Sequence, residues 1–427
     1  MVAKLKQGMS LQDVVALGIS AAVGVSIFSV IAPATALAGP GILVAFGLAA
    51  IPMIIFAVLY AFLSSADPRT GASYYWPTEY VHPYVGFLVC WLRILGSAGA
   101  LNIMATVFAD YLQSILSIDR ITVVFSLLTL FLIINVAGVS VAGGAARLLT
   151  AIKLVVLSGF IAVGLTFVDT QNFYPVLPHG TLGVVAALPL LVGLFSGIES
   201  ATEAGEEVRD SKRVIGQGLG IATGISMFVY LGVTIVSIGV LGSIDVGNSR
   251  APLAEAAAAF GYSWSGALFV ITALVSIAAA INAQFLMFMR FLFAMGRDGA
   301  LPKVLGKVHS RWGTPWVSAI AVYLSALVSL ALPTSLVFLF LAVNIPTILK
   351  YAFNCFSAMG MMERRPDLYE RAAFKMRPSV VKALAWAGII CAGLLFFAGL
   401  EADWRAYVVL LFWALIGTVY WVIKKKL

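Results

Sequence analysis

The chain has 427 residues, 61% of them hydrophobic and only 11% charged, with a formal net charge of +8 and a mean hydropathy of +1.02. A soluble domain carries roughly 25% charged residues, so this composition excludes a soluble globular protein. The apolar residues form continuous runs near the roughly 20 that a spanning helix needs, not the alternation of a membrane β-barrel, and they predict an all-α polytopic membrane protein.

Twelve spans are expected, at roughly 11–38, 41–64, 83–114, 121–140, 146–168, 181–202, 214–241, 264–295, 316–332, 335–358, 380–399 and 404–423. The connections are short, so residues 1–427 read as one transmembrane domain with a 1–10 tail. Met1 to Ser10 has no apolar core with a cleavage site and reads as a retained cytoplasmic tail. With the N-terminus inside, twenty of the 27 Lys and Arg fall on the cytoplasmic side. Three (Arg120, Arg250, Arg405) fall outside and four (Arg93, Lys153, Arg290, Lys350) lie within spans. This bias predicts a multi-pass protein of the cytoplasmic (inner) membrane with both termini cytoplasmic. The basic charge is therefore a topology signal, with the lipid bilayer as partner and no nucleic acid implied. Cys90, Cys355 and Cys391 lie in or beside apolar runs without metal-ligand spacing and imply no disulfide framework.

The first span contains Gly24-Val-Ser26-Ile27-Phe28, with Pro33 downstream. A Gly-rich helix-packing face would account for it. So would unwound backbone halfway across, which is tolerated only where it lines a cavity or is buried in protein. Asp67 to Tyr75 follows the second span as a polar cytoplasmic connection. The sixth span breaks in the same manner at Phe195-Ser196-Gly197-Ile198-Glu199-Ser200. There a glycine, about 1 kcal/mol worse than Ala in a helix, sits beside a carboxylate that is costly at mid-membrane. Span six is span one plus five, and the odd offset makes the two broken helices cross in opposite directions. Paired interruptions of this kind point to the central site of an inverted-repeat transporter. Residues 11–168 and 181–358 would be the repeats, with 380–423 forming two added helices. Further along, Ala251 to Phe260 is expected as a short surface helix over the external vestibule. Arg290 and Arg297, at the end of span eight, read first as cytoplasmic anchors.

Other function classes lack their residues. The three histidines (His82, His179, His309) all lie in loops, and no HExxH or P-loop occurs, so neither an enzyme nor a cofactor is expected. A channel would show a repeated pore loop or a charged ring.

These segments together resemble the amino acid–polyamine–organocation (APC) superfamily. Gly24 to Phe28 is similar to its first-helix Gly-x-Gly-Ile-Phe signature. Phe195 to Ser200 with Glu206-Glu207-Val208 is similar to its sixth-helix segment. Gly71-Ala-Ser-Tyr-Tyr75 resembles the run after its second helix, and Arg290 to Pro302 the run after its eighth. The resemblance spans nearly the whole chain and implies a LeuT-type fold, a 5+5 inverted repeat with broken helices 1 and 6 plus two extra helices. It also implies transport of amino acids. The sequence departs from the family at Ser26, which replaces the second Gly, and at Gly193-Leu194-Phe195, which lacks the Trp gate of arginine exchangers.

Elementary chemistry describes the expected site. Free N–H groups near Gly24, Val25, Ser26 and Ile27 suit a substrate carboxylate, because the helix dipole favours negative charge there. Carbonyls near Ala21, Ala22, Phe195 and Ser196 suit its ammonium, with Gly197 beside them in the expected substrate site. Phe195 and Ile198 could wall an apolar pocket for neutral substrates, although core packing would equally explain Phe195. Lys153 lies too deep in span five for a comfortable anchor, but snorkelling remains open. The resemblance implies that it occupies the place of a sodium ion, so that transport is sodium-independent. Proton symport follows if Lys153 releases its proton in the cycle, and exchange follows if it stays charged. Glu199 is either a structural or gating acceptor or a cation-sensing group. The second role would suit a polyamine or basic amino acid antiporter.

Overall fold

The computed structural model describes residues 9–69, 71–137, 143–195, 197, 202, 208–262, 264–331 and 335–426. Ser196, Ile198 and Glu199 lie outside these residues, as do Glu203, Glu206 and Glu207.

The first span is broken. Helix α1 (Leu11–Ala22) starts at a capping box, where Ser10 and Asp13 satisfy each other's backbone N–H groups. It closes with the Val23 N–H on the Ile19 carbonyl. Helix α2 (Ser26–Ser29) and helix α3 (Ile31–Ala38) follow. The bonds from Val30 N–H to the Ser26 carbonyl and from Ala34 N–H to the Val30 carbonyl carry the ladder across their junction. Pro33 explains that junction, since it lacks an N–H for Ser29 and crowds its carbonyl.

The remaining helices take the expected order. They are α4 (Ile42–Ala66), α5 (Ala72–Tyr80), α6 (Pro83–Gln113), α7 (Arg120–Ala137) and α8 (Gly143–Gly164), then α9 (Gly180–Phe195) and α10 (Ser211–Leu241). After them come α11 (Ser243–Asn248), α12 (Pro252–Ala258), α13 (Ser265–Arg297), α14 (Trp316–Ser329) and α15 (Leu336–Arg364). The chain ends with α16 (Pro366–Glu370), α17 (Pro378–Asp403) and α18 (Arg405–Lys426). Among the described residues, nine helical stretches are long and apolar enough to cross a membrane. One of them, Ile31–Ala66, joins α3 to α4 through the turn at Gly39 to Gly41. Three shorter apolar helices accompany them, and two, Leu11–Ser20 and Gly180–Phe195, open the two interrupted spans.

Two connections differ from expectation. The connection expected at Asp67 to Tyr75 runs into helix α5, and its described residues are tied to Asp67. Tyr80 Oη donates to Asp67 Oδ2 at 2.6 Å, Arg69 Nε donates to Asp67 Oδ1 at 2.9 Å, and Trp76 Nε1 donates to the Asp67 carbonyl at 3.2 Å. Burial and the bond to Asp67 push the Tyr80 phenol far above its usual range. Helix α12 forms where a surface helix was expected, but Pro252, Leu253, Ala254, Ala256 and Ala257 are buried in it. Its alanines let it sink between α10 and α13 instead of lying on the surface. Before α1, Met9 pairs with Val208 in a single bridge, and Arg209 N–H donates to the Met9 carbonyl at 2.9 Å. The chain leading into the first span is thereby fixed to the segment that follows the sixth.

Candidate functional site

Between α1 and α2 the backbone leaves the helical ladder for three residues. Among the described residues, the N–H groups of Gly24, Val25, Ser26 and Ile27 meet no acceptor, and no donor reaches the carbonyls of Ala21 and Ala22. These are the open groups that every helix end leaves, held here in mid-span. Ser29 Oγ caps the Val25 carbonyl at 2.9 Å. Ile27 and Phe28 point into the core, and Ala22 and Gly24 are buried.

The sixth-span break is built differently. Helix α9 ends at Phe195, and Gly197 has φ +103°, a region that favours glycine. Pro189 inside α9 leaves the Val185 carbonyl without its usual donor. Asn344 Nδ2, from α15, donates to the carbonyl of Pro189 at 3.0 Å. A Cβ at Gly193 would lie 2.4 Å from that Asn344 nitrogen, so only glycine admits the amide. Tyr230 Oη, from α10, donates to the Leu194 carbonyl at 2.7 Å.

Both breaks open on one cavity of about 240 Å³, walled by α1, α2, α6, α9, α13 and α15. Of the residues expected at the site, it brings together Val25, Ser26 and Gly197. Ala22, Gly24 and Ile27 flank the break and are not among the described lining residues. Phe195 does not line it either: its ring is fully buried and meets Tyr230 edge-on at 5.9 Å. It packs in the core among Phe56 and Tyr60 of α4, Leu219 and Thr223 of α10 and Tyr351 of α15. Lys153 is 5% exposed, on a helix that packs against α1, α10 and α13, and it lies outside the cavity lining.

The cavity also holds polar groups that the sequence reading did not assign to the site. Gln284, Asn344, Arg93 and Lys350 all line it. Gly99 faces Val343, and Gly96 faces the Val343 carbonyl and Pro346, so α6 and α15 run antiparallel in close contact. That register sets Arg93, three residues before Gly96, level with Lys350, four after Pro346. Lys350 is 6% exposed, with its Nζ 4.8 Å from the Tyr351 ring centroid, and the Arg93 guanidinium lies 5.8 Å from that of Phe291. No Asp or Glu is among the described lining residues. A signal was present, since an ionisable residue inside a span marks a functional site by default. Arg93 and Lys350 stand among the four basic residues within spans, outside the positive-inside bias.

Two helices broken at the same depth around a polar cavity define a secondary transporter of the inverted-repeat class. The comparisons with known proteins give the family. The family model described as amino acid permease matches residues 9–421. A branched-chain amino acid permease, BcaP, of Bacillus subtilis (strain 168) is 26% identical over 99% of this chain and 94% of its own length. A methylthioribose transporter of the same strain is 25% identical over 99% and 94%. Cationic amino acid transporter 2, vacuolar, of Arabidopsis thaliana is 27% identical over 76% of this chain and 55% of its own length. The chain belongs to the amino acid permease family of the APC superfamily. It is a polytopic membrane protein with the LeuT-type fold, and it transports amino acids rather than acting as an enzyme.

Proposed function

We propose that the protein carries neutral amino acids across the cytoplasmic membrane by alternating access, sodium-independently and coupled to protons, with both termini cytoplasmic. Residues 11–168 and 181–358 act as the two inverted repeats of one domain, and 380–423 lies outside them.

The observation that carries this reading is the cavity where Val25, Ser26 and Gly197 meet. The N–H groups of Val25 and Ser26, which line the cavity, receive the substrate carboxylate, with those of Gly24 and Ile27 at the edge of the same break. The carbonyls ending α1 at Ala21 and Ala22 are the acceptors for its ammonium. Ser196 and Ile198, expected at the site from their place beside Gly197, lie outside the described residues. Neutral substrates are favoured because much of the described lining is apolar, with Val25, Ile103, Met104, Phe340 and Val343 in it. The branched-chain permease among the relatives agrees with an apolar side chain.

Lys153 acts as the coupling group. Its ammonium stands in for a sodium ion beside the first break, and its proton leaves and returns during the cycle. Glu199 serves as a structural or gating acceptor. The second reading, an exchanger or basic amino acid antiporter using Glu199, draws support from the Arabidopsis relative.

Uptake into proteoliposomes tests both readings. Alanine, leucine or phenylalanine should compete for uptake, while arginine and putrescine should not; the opposite pattern favours Glu199 as a cation acceptor. An imposed pH gradient should drive accumulation, and a Na⁺ gradient alone should not. Lys153→Ala should keep substrate binding and lose the response to pH. Uptake driven by Na⁺ alone would remove Lys153 from its proposed role.

A further inference from the structure

A second hollow, of about 800 Å³, lies apart from the central cavity on the outer side of α4 and α10. One wall is Ile54, Val58 and Ala61 of α4. The other is the Gly216, Gly220 and Gly224 face of α10, spaced at four residues so that the three share one side of the helix. Gly216 is closed off, its missing Cβ falling 3.2 Å from that of Ala61. A Cβ at Gly220 or Gly224 would meet nothing within 4 Å. A glycine stripe normally lets two helices approach, yet here two of its three positions have no protein against them.

The end of this hollow is built and basic. Lys212 and Arg213 line it together with Ala373 and Phe374 from the connection into α17. That connection is fastened to the end of α4: Ala373 N–H donates to the Ser65 carbonyl at 3.4 Å, and Ser65 Oγ donates to the Phe374 carbonyl at 3.3 Å. Lys212 Nζ donates to the Arg371 carbonyl at 3.3 Å, which leaves its positive charge uncompensated by that bond. From Lys212 to Met227, the far lining residue, the helix rises about 22 Å. One leaflet of the hydrocarbon core is about 15 Å thick. The hollow is therefore long, apolar, open to the bilayer and cationic at one end.

We propose that it holds one acyl chain of an anionic phospholipid, whose phosphate rests on Lys212 and Arg213. Charge complementarity selects the occupant. A zwitterionic lipid would bring an ammonium as well as a phosphate to two cations, whereas an anionic headgroup brings only the phosphate. Basic pockets between spanning helices on the cytoplasmic side hold such headgroups, and the assignment to the inner leaflet rests on the orientation proposed above. An ordered lipid here would lie against α4 and α10. Both helices also pack on elements of the central site, α4 on α9 and α10 on α1.

Thermal unfolding of the purified, delipidated full-length protein in detergent tests the site. Phosphatidylglycerol should raise the Tm by about 2–4 °C, the scale of ligand linkage at saturating lipid, and phosphatidylcholine should not. Gly220→Leu fills the hollow where there is free space and should abolish the shift while leaving the lipid-free Tm within about 1 °C. The double variant Lys212→Ser with Arg213→Ser should abolish it as well. An equal shift with both lipids, or a shift retained in Gly220→Leu, would overturn the proposal. So would a shift reproduced by glycerol phosphate alone. The assay has no membrane sides and measures no transport, so an error in orientation or substrate would leave its result unchanged.

Discussion

The two broken spans solve the same problem in opposite ways. At the first, among the described residues, the N–H groups of 24–27 and the carbonyls of Ala21 and Ala22 meet no partner. At the sixth, Tyr230 holds the Leu194 carbonyl in the last turn of α9, and Asn344 braces the helix at Pro189, about a turn and a half earlier. Leaving a buried carbonyl unpaired costs about 1–3 kcal/mol, so side chains from α10 and α15 hold the described end of α9 in place. One end is left unfinished by the protein and the other is secured by its neighbours, so the two ends of an inverted pair need not be finished alike.

Two substitutions probe this difference. The larger effect is expected at Gly193, where a valine would be driven into the Asn344 amide. Overpacking of this kind costs about 1–3 kcal/mol, and the lost bond to Pro189 adds about 1 more. Thermal unfolding should show the loss, and substrate affinity should fall with it. An unchanged Tm would mean that the sixth break is not braced. Tyr230→Phe should come next, at about 1–3 kcal/mol, since it strands one buried carbonyl and changes little volume. If the sixth span is a support, this variant should lower Tm while the substrate dissociation constant changes less than about threefold.

The breaks were legible in the sequence because their cause is local. Gly24 and Gly197 weaken a helix wherever they stand, Pro33 removes a donor, and an apolar run reports its own membrane depth. The positions of Val25, Ser26 and Gly197 on a common cavity follow from that pattern once two spans run in opposite directions. Phe195 shows where such reasoning stops. Gly197, two residues on, lines the cavity, but the helix rotation that turns the Phe195 ring to Tyr230 is set by the packing of α9 against α4, α15 and α17. Arg93 and Lys350 show the converse: they are 257 positions apart and become neighbours only because Gly96 and Gly99 let α6 lie against α15.

The sequence by itself determined the membrane class, the order of the spans, the two interruptions and the family pattern. These depend on composition, periodicity and single-residue backbone preferences, which act within a few residues. The tertiary structure alone decided which broken end stays open and which is capped. It also decided which ionisable residues face the cavity and where a glycine face of α10 is left without a protein partner. Each of these depends on the relative rotation and register of helices distant in the chain, and that is fixed by side-chain volume and hydrogen-bond satisfaction across the packed bundle.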